Sequence, residues 1–328
     1  MKKTILLTYL ALLLSFLPPL FSPLFSAAPE APAPASLPAE DPPTPGPTLA
    51  SPRSTRLRVL REDELWEVDM QDYLFGVLAA EMPASFEPEA LKAQAVAART
   101  YALYCAACHK HAQADVCTDH RCCQAWQGDD ALREAWGSAY EANRAKLLAA
   151  VRDTDGQYLS YEGQPVFAAF HSSSAGATEA CGQIWNPLPY LISVPSPESA
   201  ETVPNYVSEL VCSPLDFRDV LLSAYPQADF TGPEETWIGP LSQDESGRVT
   251  SALLGGVEIP GTQLRSLFSL RSTAFTLRYD GACFFFTVTG SGHGVGMSQY
   301  GAQVMAGQGA GYAEILAHYY PGTTLLGL

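Results

Sequence analysis

The chain has 328 residues and a formal net charge of −16, with 19 Lys and Arg against 35 Asp and Glu. Its basic residues are spread thinly and form no cluster, and an acidic surface repels polyanions, so the composition excludes nucleic-acid binding. Without an apolar leader, roughly 270 residues remain, which is enough for one large domain or two smaller ones with a real core.

Residues 1–28 are typical of a membrane-targeting segment. Lys2 and Lys3 precede a mostly apolar stretch interrupted by three prolines. About 20 apolar residues suffice to span a bilayer. The segment therefore predicts either an uncleaved signal anchor or a signal peptide cleaved after Ser26–Ala28, and Pro29 slightly favours the anchor. With the two lysines in the cytoplasm, the rest of the chain lies on the outer face of the cell membrane, or is secreted after cleavage.

The elements that follow predict an α+β fold. Residues 29–56 are rich in Pro, Ala and Ser and predict an extended linker. Helical periodicity then predicts helices at 69–81, 88–107, 130–150, 214–224, 298–306 and 312–319. Apolar alternation and turn signals predict strands at 55–68, 156–170 and 284–289, with other short strands between 200 and 290. Residues 57–328 are expected to form a helical core packed on mixed β-sheet elements.

Glu81 is the first residue whose position suggests chemistry. It lies seven, four and three positions after Leu74, Val77 and Leu78, so it continues an apolar helical stripe that should face the core. Desolvation there raises the pKa of a carboxyl toward the range that a general acid needs near neutrality. The alternative is a solvated glutamate at a helix end, because Glu is rarely buried without a partner.

The next helix carries two cations on a largely apolar face. Lys92 and Arg99 are seven residues apart, which separates them by about 10 Å along one side of the helix. Their partner would be Glu81 or an anionic or hydroxyl-rich ligand. The alternative is that both long side chains reach water from an alanine-rich core helix.

Three ordered blocks resemble the SpoIID/LytB family, the stage II sporulation protein D group of peptidoglycan-degrading proteins. The blocks are Tyr73–Leu103, Phe170–Glu179 with Trp185 beyond it, and Gly292–Ala302. The resemblance runs from about Leu57 to the C-terminus. It implies a lytic transglycosylase that cleaves glycan strands of peptidoglycan, stripped of stem peptides, during sporulation. In that resemblance Glu81 is the single general acid and base, and Lys92 and Arg99 orient it or the sugar.

The two later blocks make chemical sense as walls of a substrate groove, since glycines let the backbone approach a saccharide while side chains supply hydrogen bonds. The candidate substrate-binding residues are His171, Ser172, Ser173, Ser174, His293, Ser298 and Gln299. Ala175 departs from the family, which usually has Gly there. The alternative is a tight strand-to-helix turn. A nucleophilic pair of Ser173 and His293 is disfavoured, because nothing nearby resembles a nucleophile elbow.

Five of the eight cysteines lie within 19 residues, together with three histidines. Adjacent Cys122 and Cys123 cannot easily bridge each other, and such a cluster more often binds zinc than forms disulfides. Some family members hold zinc with a His, a Cys and an adjacent His–Cys pair. Carried over, the ligands are His111, Cys117, Cys122 and Cys123, with Cys122 standing where the family has His. His120 or Cys108 could replace one ligand. Four protein ligands predict a structural zinc.

The resemblance also implies partners. These are the glycan strands themselves, a wall amidase or endopeptidase, and a membrane scaffold protein. Two other functions stay open: a non-catalytic wall-binding protein that enhances a separate amidase, and a zinc amidase. The second is disfavoured, because the zinc candidates form a closed cluster far in sequence from both later blocks.

Overall fold

The computed structural model describes residues 56–62 and 64–328. The expected signal segment at 1–28 and all but the last residue of the linker at 29–56 lie outside the described residues. In the part of the chain that is described, no helix is long and apolar enough to cross a membrane.

The described residues form a mixture of helices and small sheets, which confirms the α+β prediction. The helices are α1 Met70–Glu81, α2 Pro88–Ala107, α3 Asp129–Trp136, α4 Tyr140–Asp153, α5 Pro214–Ala224, α6 Gly261–Leu267, α7 Gln299–Gly307 and α8 Tyr312–Tyr319. The strands are β1 Arg56–Arg61, β2 Glu64–Asp69, β3 Val116–Cys117, β4 Gln157–Tyr161, β5 Gln164–Pro165, β6 Phe170–His171, β7 Val207–Cys212, β8 Ile238–Gln243, β9 Val249–Leu254, β10 Val257–Pro260, β11 Phe275–Tyr279, β12 Phe284–Thr289, β13 Met297–Ser298 and β14 Thr324–Gly327.

The larger core is built around α2. Pro88 occupies its first turn, where a missing N–H is harmless, and its alanine-rich sequence lets neighbours approach closely from several sides. Helices α1, α4, α7 and α8 all pack on α2, and so does β4. Because α2 is contacted on nearly every side, it is buried along most of its length.

A second core lies between 210 and 290 and is rich in aromatic residues. Sheets β11-β12-β7 and β10-β9-β8 surround it together with α5. Phe217 of α5 stacks on Phe284 with ring centroids 4.0 Å apart and planes 9° from parallel.

The predicted helix at 130–150 is wrong in one respect, because two helices occupy this stretch. α3 ends before Gly137, whose φ of +51° is a conformation that residues with a Cβ seldom adopt, and a short 3-10 turn at Gly137–Ala139 leads into α4. Leu132 and Leu147 still face the core as the apolar periodicity indicated. Periodicity alone therefore did not reveal the break.

The two later sequence blocks lie side by side. β13 pairs in parallel with β6, which places Met297 opposite Phe170 and Ser298 opposite His171. A further bridge joins Ser173 to Ser291. Since α7 starts directly after β13 and packs on α2, this pairing brings the start of α7 toward the end of α1.

Candidate active site

Glu81 is the last residue of α1. Met82 is extended, as is usual before a proline, so the helix ends there and the carboxylate projects from its C-terminal end. One oxygen, Oε1, accepts a hydrogen bond from the backbone N–H of Ala125 at 2.9 Å. The other, Oε2, accepts from the side-chain amide of Gln299 at 3.3 Å.

The surroundings of Glu81 favour its protonated form. The residue is half-buried, and burial raises the pKa of its carboxyl to about 7, while the two hydrogen bonds oppose that shift because they stabilise the charged form. A carboxyl of this kind exists in both protonation states near neutrality. It can therefore donate a proton and later accept one.

The partners of Lys92 differ from the sequence expectation. Its ammonium pairs with Glu89 at 3.0 Å and with Asp153 at 3.1 Å, close to the end of α4. These contacts join α2 to α4 and do not reach Glu81. Lys92 therefore does not orient the carboxyl in this arrangement.

Arg99 also has partners other than Glu81. It is 1% exposed and donates to the backbone carbonyls of Val151, Thr154 and Gln157, where α4 ends and β4 begins. A cation at the C-terminal end of a helix satisfies carbonyls that have no partner in the helix. Arg99 therefore stabilises the core. The sequence had assigned the contacts to Glu81 to Lys92 and Arg99. In the structure, Ala125 and Gln299 make these contacts.

The segment that delivers Ala125 runs back along α1. The phenol of Tyr73 donates to the Gln124 side chain at 3.2 Å, and the N–H of Gln127 donates to the carbonyl of Gly76 at 3.1 Å. A Cβ at Gly76 would lie 2.1 Å from the indole nitrogen of Trp126, so glycine is needed for this close approach. These contacts fix the N–H that faces Glu81.

The cysteine and histidine cluster lies just before that segment. The donor atoms of four residues lie within 4.8 Å of one another, namely His111, Cys117, Cys122 and Cys123. The His111 Nε2 atom is 3.2 Å from the Cys123 sulfur. Ligands of one tetrahedral zinc lie roughly 3.5–3.8 Å from each other, since each is about 2.1–2.3 Å from the ion. Three thiols and an imidazole at this spacing fit such a site.

The two histidines of the later blocks are buried and bonded within the protein. His293 donates from Nε2 to the Phe170 carbonyl at 2.9 Å and accepts the Val295 N–H at Nδ1, and burial lowers its pKa to about 3. His171 donates from Nδ1 to the Val295 carbonyl and accepts the Ser174 hydroxyl at 2.7 Å. Burial also lowers the pKa of His171, so both rings are neutral. Neither nitrogen of His293 contacts Ser173.

The serines of these blocks are mostly internal as well. Ser173, Ser174 and Ser298 are buried, and Ser172 is half-buried. Ser298 is the N-cap of α7, where its hydroxyl oxygen accepts the Gly301 N–H at 3.1 Å. Of the seven candidate substrate-binding residues, Gln299 is the one in contact with Glu81.

Comparison with known proteins shows the family of this chain. The sequence profile described as Stage II sporulation protein matches residues 61–161, which include Glu81 and the cysteine cluster. Stage II sporulation protein D of Bacillus amyloliquefaciens is 34% identical over 285 residues, covering 85% of this chain and 80% of that protein. The chain belongs to the stage II sporulation protein D family. The protein of that name from Bacillus subtilis is 34% identical over 281 residues, covering 84% of this chain and 80% of the relative.

A further relative of this chain has a different name. The amidase enhancer of Bacillus subtilis is 28% identical over 300 residues, covering 77% of this chain and 40% of that protein. The family expected from the three sequence blocks is confirmed.

Two parts of the site in this family member were missed by sequence reasoning. The backbone N–H of Ala125 leaves no signal in a side-chain pattern. Glu198 lies in a segment without periodicity, and it is buried against Ser174 and Ser298.

Proposed function

We propose that this stage II sporulation protein D relative is a lytic transglycosylase that cleaves the glycan strands of peptidoglycan, with Glu81 as its general acid and base. The observation that carries the proposal is the state of the Glu81 carboxyl. It is half-buried, its pKa is raised to about 7, and it is held by two hydrogen-bond donors at the end of α1.

One carboxyl is enough for this reaction. Glycosidases that use water usually need two carboxyls, one as acid and one as base or nucleophile. Here the protonated Glu81 gives its proton to the glycosidic oxygen as the bond to the muramyl C1 breaks. The resulting carboxylate removes the proton of the muramyl 6-hydroxyl while that oxygen bonds to C1. The product carries a 1,6-anhydro ring, no water is consumed, and Glu81 is protonated again.

The donors around Glu81 suit both halves of this cycle. The Ala125 N–H and the Gln299 amide stabilise the carboxylate that forms when the proton leaves. Desolvation acts in the opposite direction and keeps the carboxyl basic enough to take a proton back. The balance places the pKa near the pH at which a wall enzyme works.

The cysteine cluster stabilises the Glu81 site because it is close in sequence to Ala125. His111, Cys117, Cys122 and Cys123 would hold a zinc ion, which with four protein ligands supplies a structural cross-link. Cys123 precedes Ala125 by two residues. Fixing the cluster therefore fixes the N–H that binds Glu81.

We place the protein on the outer face of the cell membrane during sporulation, acting on strands from which an amidase has removed stem peptides. The family supports the sporulation role, and a relative named amidase enhancer supports a partnership with an amidase. A membrane scaffold protein would be a further partner.

The amidase enhancer relative also favours a second candidate, a wall-binding protein that stimulates an amidase without cleaving glycan. The two functions differ in what happens at Glu81. An enhancer has no need for a carboxyl whose pKa is raised to about 7.

One digestion experiment separates these functions. Purified protein is incubated with intact wall and with amidase-treated glycan, and the soluble products are analysed by mass spectrometry. We expect 1,6-anhydromuramyl ends, formed faster from the amidase-treated glycan, and loss of nearly all of them with Glu81→Gln. Glu64→Gln serves as the matched control, since it makes the same change at an exposed position of β2. Products without new glycan ends, but with faster release of peptides by an added amidase, would identify an enhancer instead. Free peptides without any added amidase would identify an amidase.

A further inference from the structure

Glu198 is a carboxylate buried between the two later sequence blocks. It is 4% exposed. Its Oε1 accepts the Ser174 N–H at 2.6 Å and the Ser298 hydroxyl at 2.5 Å, and its Oε2 accepts the Ser196 hydroxyl at 2.5 Å. Burying a carboxylate is costly unless it is fully hydrogen-bonded, and here the hydrogen bonds come from residues of both blocks.

The glycine at position 301 leaves space for the Glu198 carboxylate. A Cβ at Gly301 would lie 2.7 Å from Glu198 Oε2 and 2.0 Å from the Tyr319 hydroxyl oxygen. Glycine at this position of α7 lets the first turn of the helix approach the carboxylate. The Ser196 hydroxyl, which donates to Glu198, is also 2.7 Å from the Tyr319 hydroxyl.

The hydrogen bond from Ser298 has a direct effect on α7. The Ser298 oxygen caps the helix by accepting the Gly301 N–H, and Glu198 Oε1 at 2.5 Å is a much nearer acceptor for its single hydrogen than the Ser172 carbonyl at 3.4 Å. Glu198 thereby fixes the rotamer in which Ser298 can act as a cap. The next residue, Gln299, is the first of α7 and donates to Glu81 at 3.3 Å.

We propose that Glu198 is a positioning residue for Glu81: it holds the Ser298 cap, which sets the start of α7 and so places the Gln299 amide against the Glu81 carboxyl. The proposal rests on the proposed role of Glu81. Glu198 acts through Ser298 and Gln299 and is not itself placed at the reacting atoms.

The test follows the titration of Glu81, because losing the Gln299 donor removes a hydrogen bond that stabilises its carboxylate. Variants Glu198→Ala, Gln299→Ala and the double variant are made in the full chain. The pH dependence of the Gln299 side-chain amide resonance reports the titration without requiring activity. In Gln299→Ala, the Ala125 N–H resonance reports it instead, and that resonance is followed in all variants.

We expect Glu198→Ala and Gln299→Ala each to raise the titration midpoint by about 0.4–1 pH unit, the equivalent of one ordinary hydrogen bond. The double variant should shift no further than Gln299→Ala alone. The groups whose charge could also act on the two glutamates are Tyr73 beside Glu81, and Tyr206, Arg248 and Tyr319 beside Glu198. All of them are retained in every variant, so they do not differ between the arms.

Two further variants separate positioning from a merely structural role. Glu198→Gln keeps an oxygen for Ser174 and Ser298, and its amide can donate to Ser196, so it should titrate as the wild type does. Ser196→Ala leaves the Ser298 bond in place and should also leave the midpoint unchanged. If Glu198→Ala does not fold, Ser298→Ala removes the same hydrogen bond from its donor side and carries the test.

A wild-type midpoint in a folded Glu198→Ala protein would overturn the proposal, and so would additive shifts in the double variant. The expected shifts in a protein that releases no anhydro ends would instead overturn the proposed function and leave the positioning role of Glu198 intact.

Discussion

Replacing Glu81 with Gln should make the folded protein more stable, and only at higher pH. Glutamine has the shape of the protonated carboxyl, can accept the Ala125 N–H and, after a flip of the Gln299 amide, can donate to its oxygen. The Glu81 carboxyl has a pKa of about 7 when folded against an ordinary value of 4.5. A group that binds its proton more tightly in the folded state contributes full stability below 4.5 and loses it as the pH rises through about 7.

The size of the effect follows from that difference. At about 1.4 kcal/mol for each pKa unit, ionised Glu81 lowers the free energy of unfolding by about 3–4 kcal/mol at most. The assay is urea denaturation of wild type and Glu81→Gln at pH values on either side of this window. Glu64→Gln, on an exposed position of β2, controls for the loss of one surface charge. A stability difference between wild type and Glu81→Gln that does not change with pH would refute the reasoning, because it would mean that the carboxyl is not desolvated.

Three more outcomes are expected. Because protonated Glu81 is the acid, kcat/KM for glycan cleavage should fall as the pH rises through about 7, and a pH–rate profile that stays flat there would contradict this. The purified protein should contain about one zinc, measured by elemental mass spectrometry. The double variant Cys117→Ser with Cys123→Ser should lose this zinc and have a lower melting temperature. A metal-free wild type with a disulfide at Cys117 would contradict the zinc site. Arg99→Met should lower the free energy of unfolding by about 2–4 kcal/mol, since it leaves buried carbonyls without a donor. Lys92→Met, which removes a partly exposed ion pair, should lower it by less than about 1 kcal/mol. Equal losses in urea denaturation would be inconsistent with these contacts.

The sequence was most informative where the signal is local. The apolar spacing before Glu81 and the proline at 88 predicted α1 and α2 closely, because both helices depend on residues within a few turns. The density of thiols and imidazoles predicted a metal site, and the family resemblance implied the ligands His111, Cys117, Cys122 and Cys123, whose donor atoms the fold does bring together.

It was least informative about which groups meet across the chain. Lys92 and Arg99 do share a helix with the expected spacing, but periodicity cannot show that the end of α4 supplies their partners. Ala125 reaches Glu81 with a backbone N–H, from 44 residues away. The serines of the later blocks carry hydroxyls suited to a sugar, yet Ser174 and Ser298 turn inward to Glu198 or His171. Such pairings depend on strand and helix packing.

The measurement that tests the central claim most directly is cleavage of amidase-treated glycan in water enriched in heavy oxygen. If Glu81 passes a proton from the muramyl 6-hydroxyl to the leaving oxygen, the new ends form without water. Mass spectrometry should then show anhydromuramyl ends that are lighter by one water than reducing ends and carry no label. New reducing ends that accumulate as digestion proceeds would contradict the account, because they would show that water attacks C1 and that the enzyme is a hydrolase.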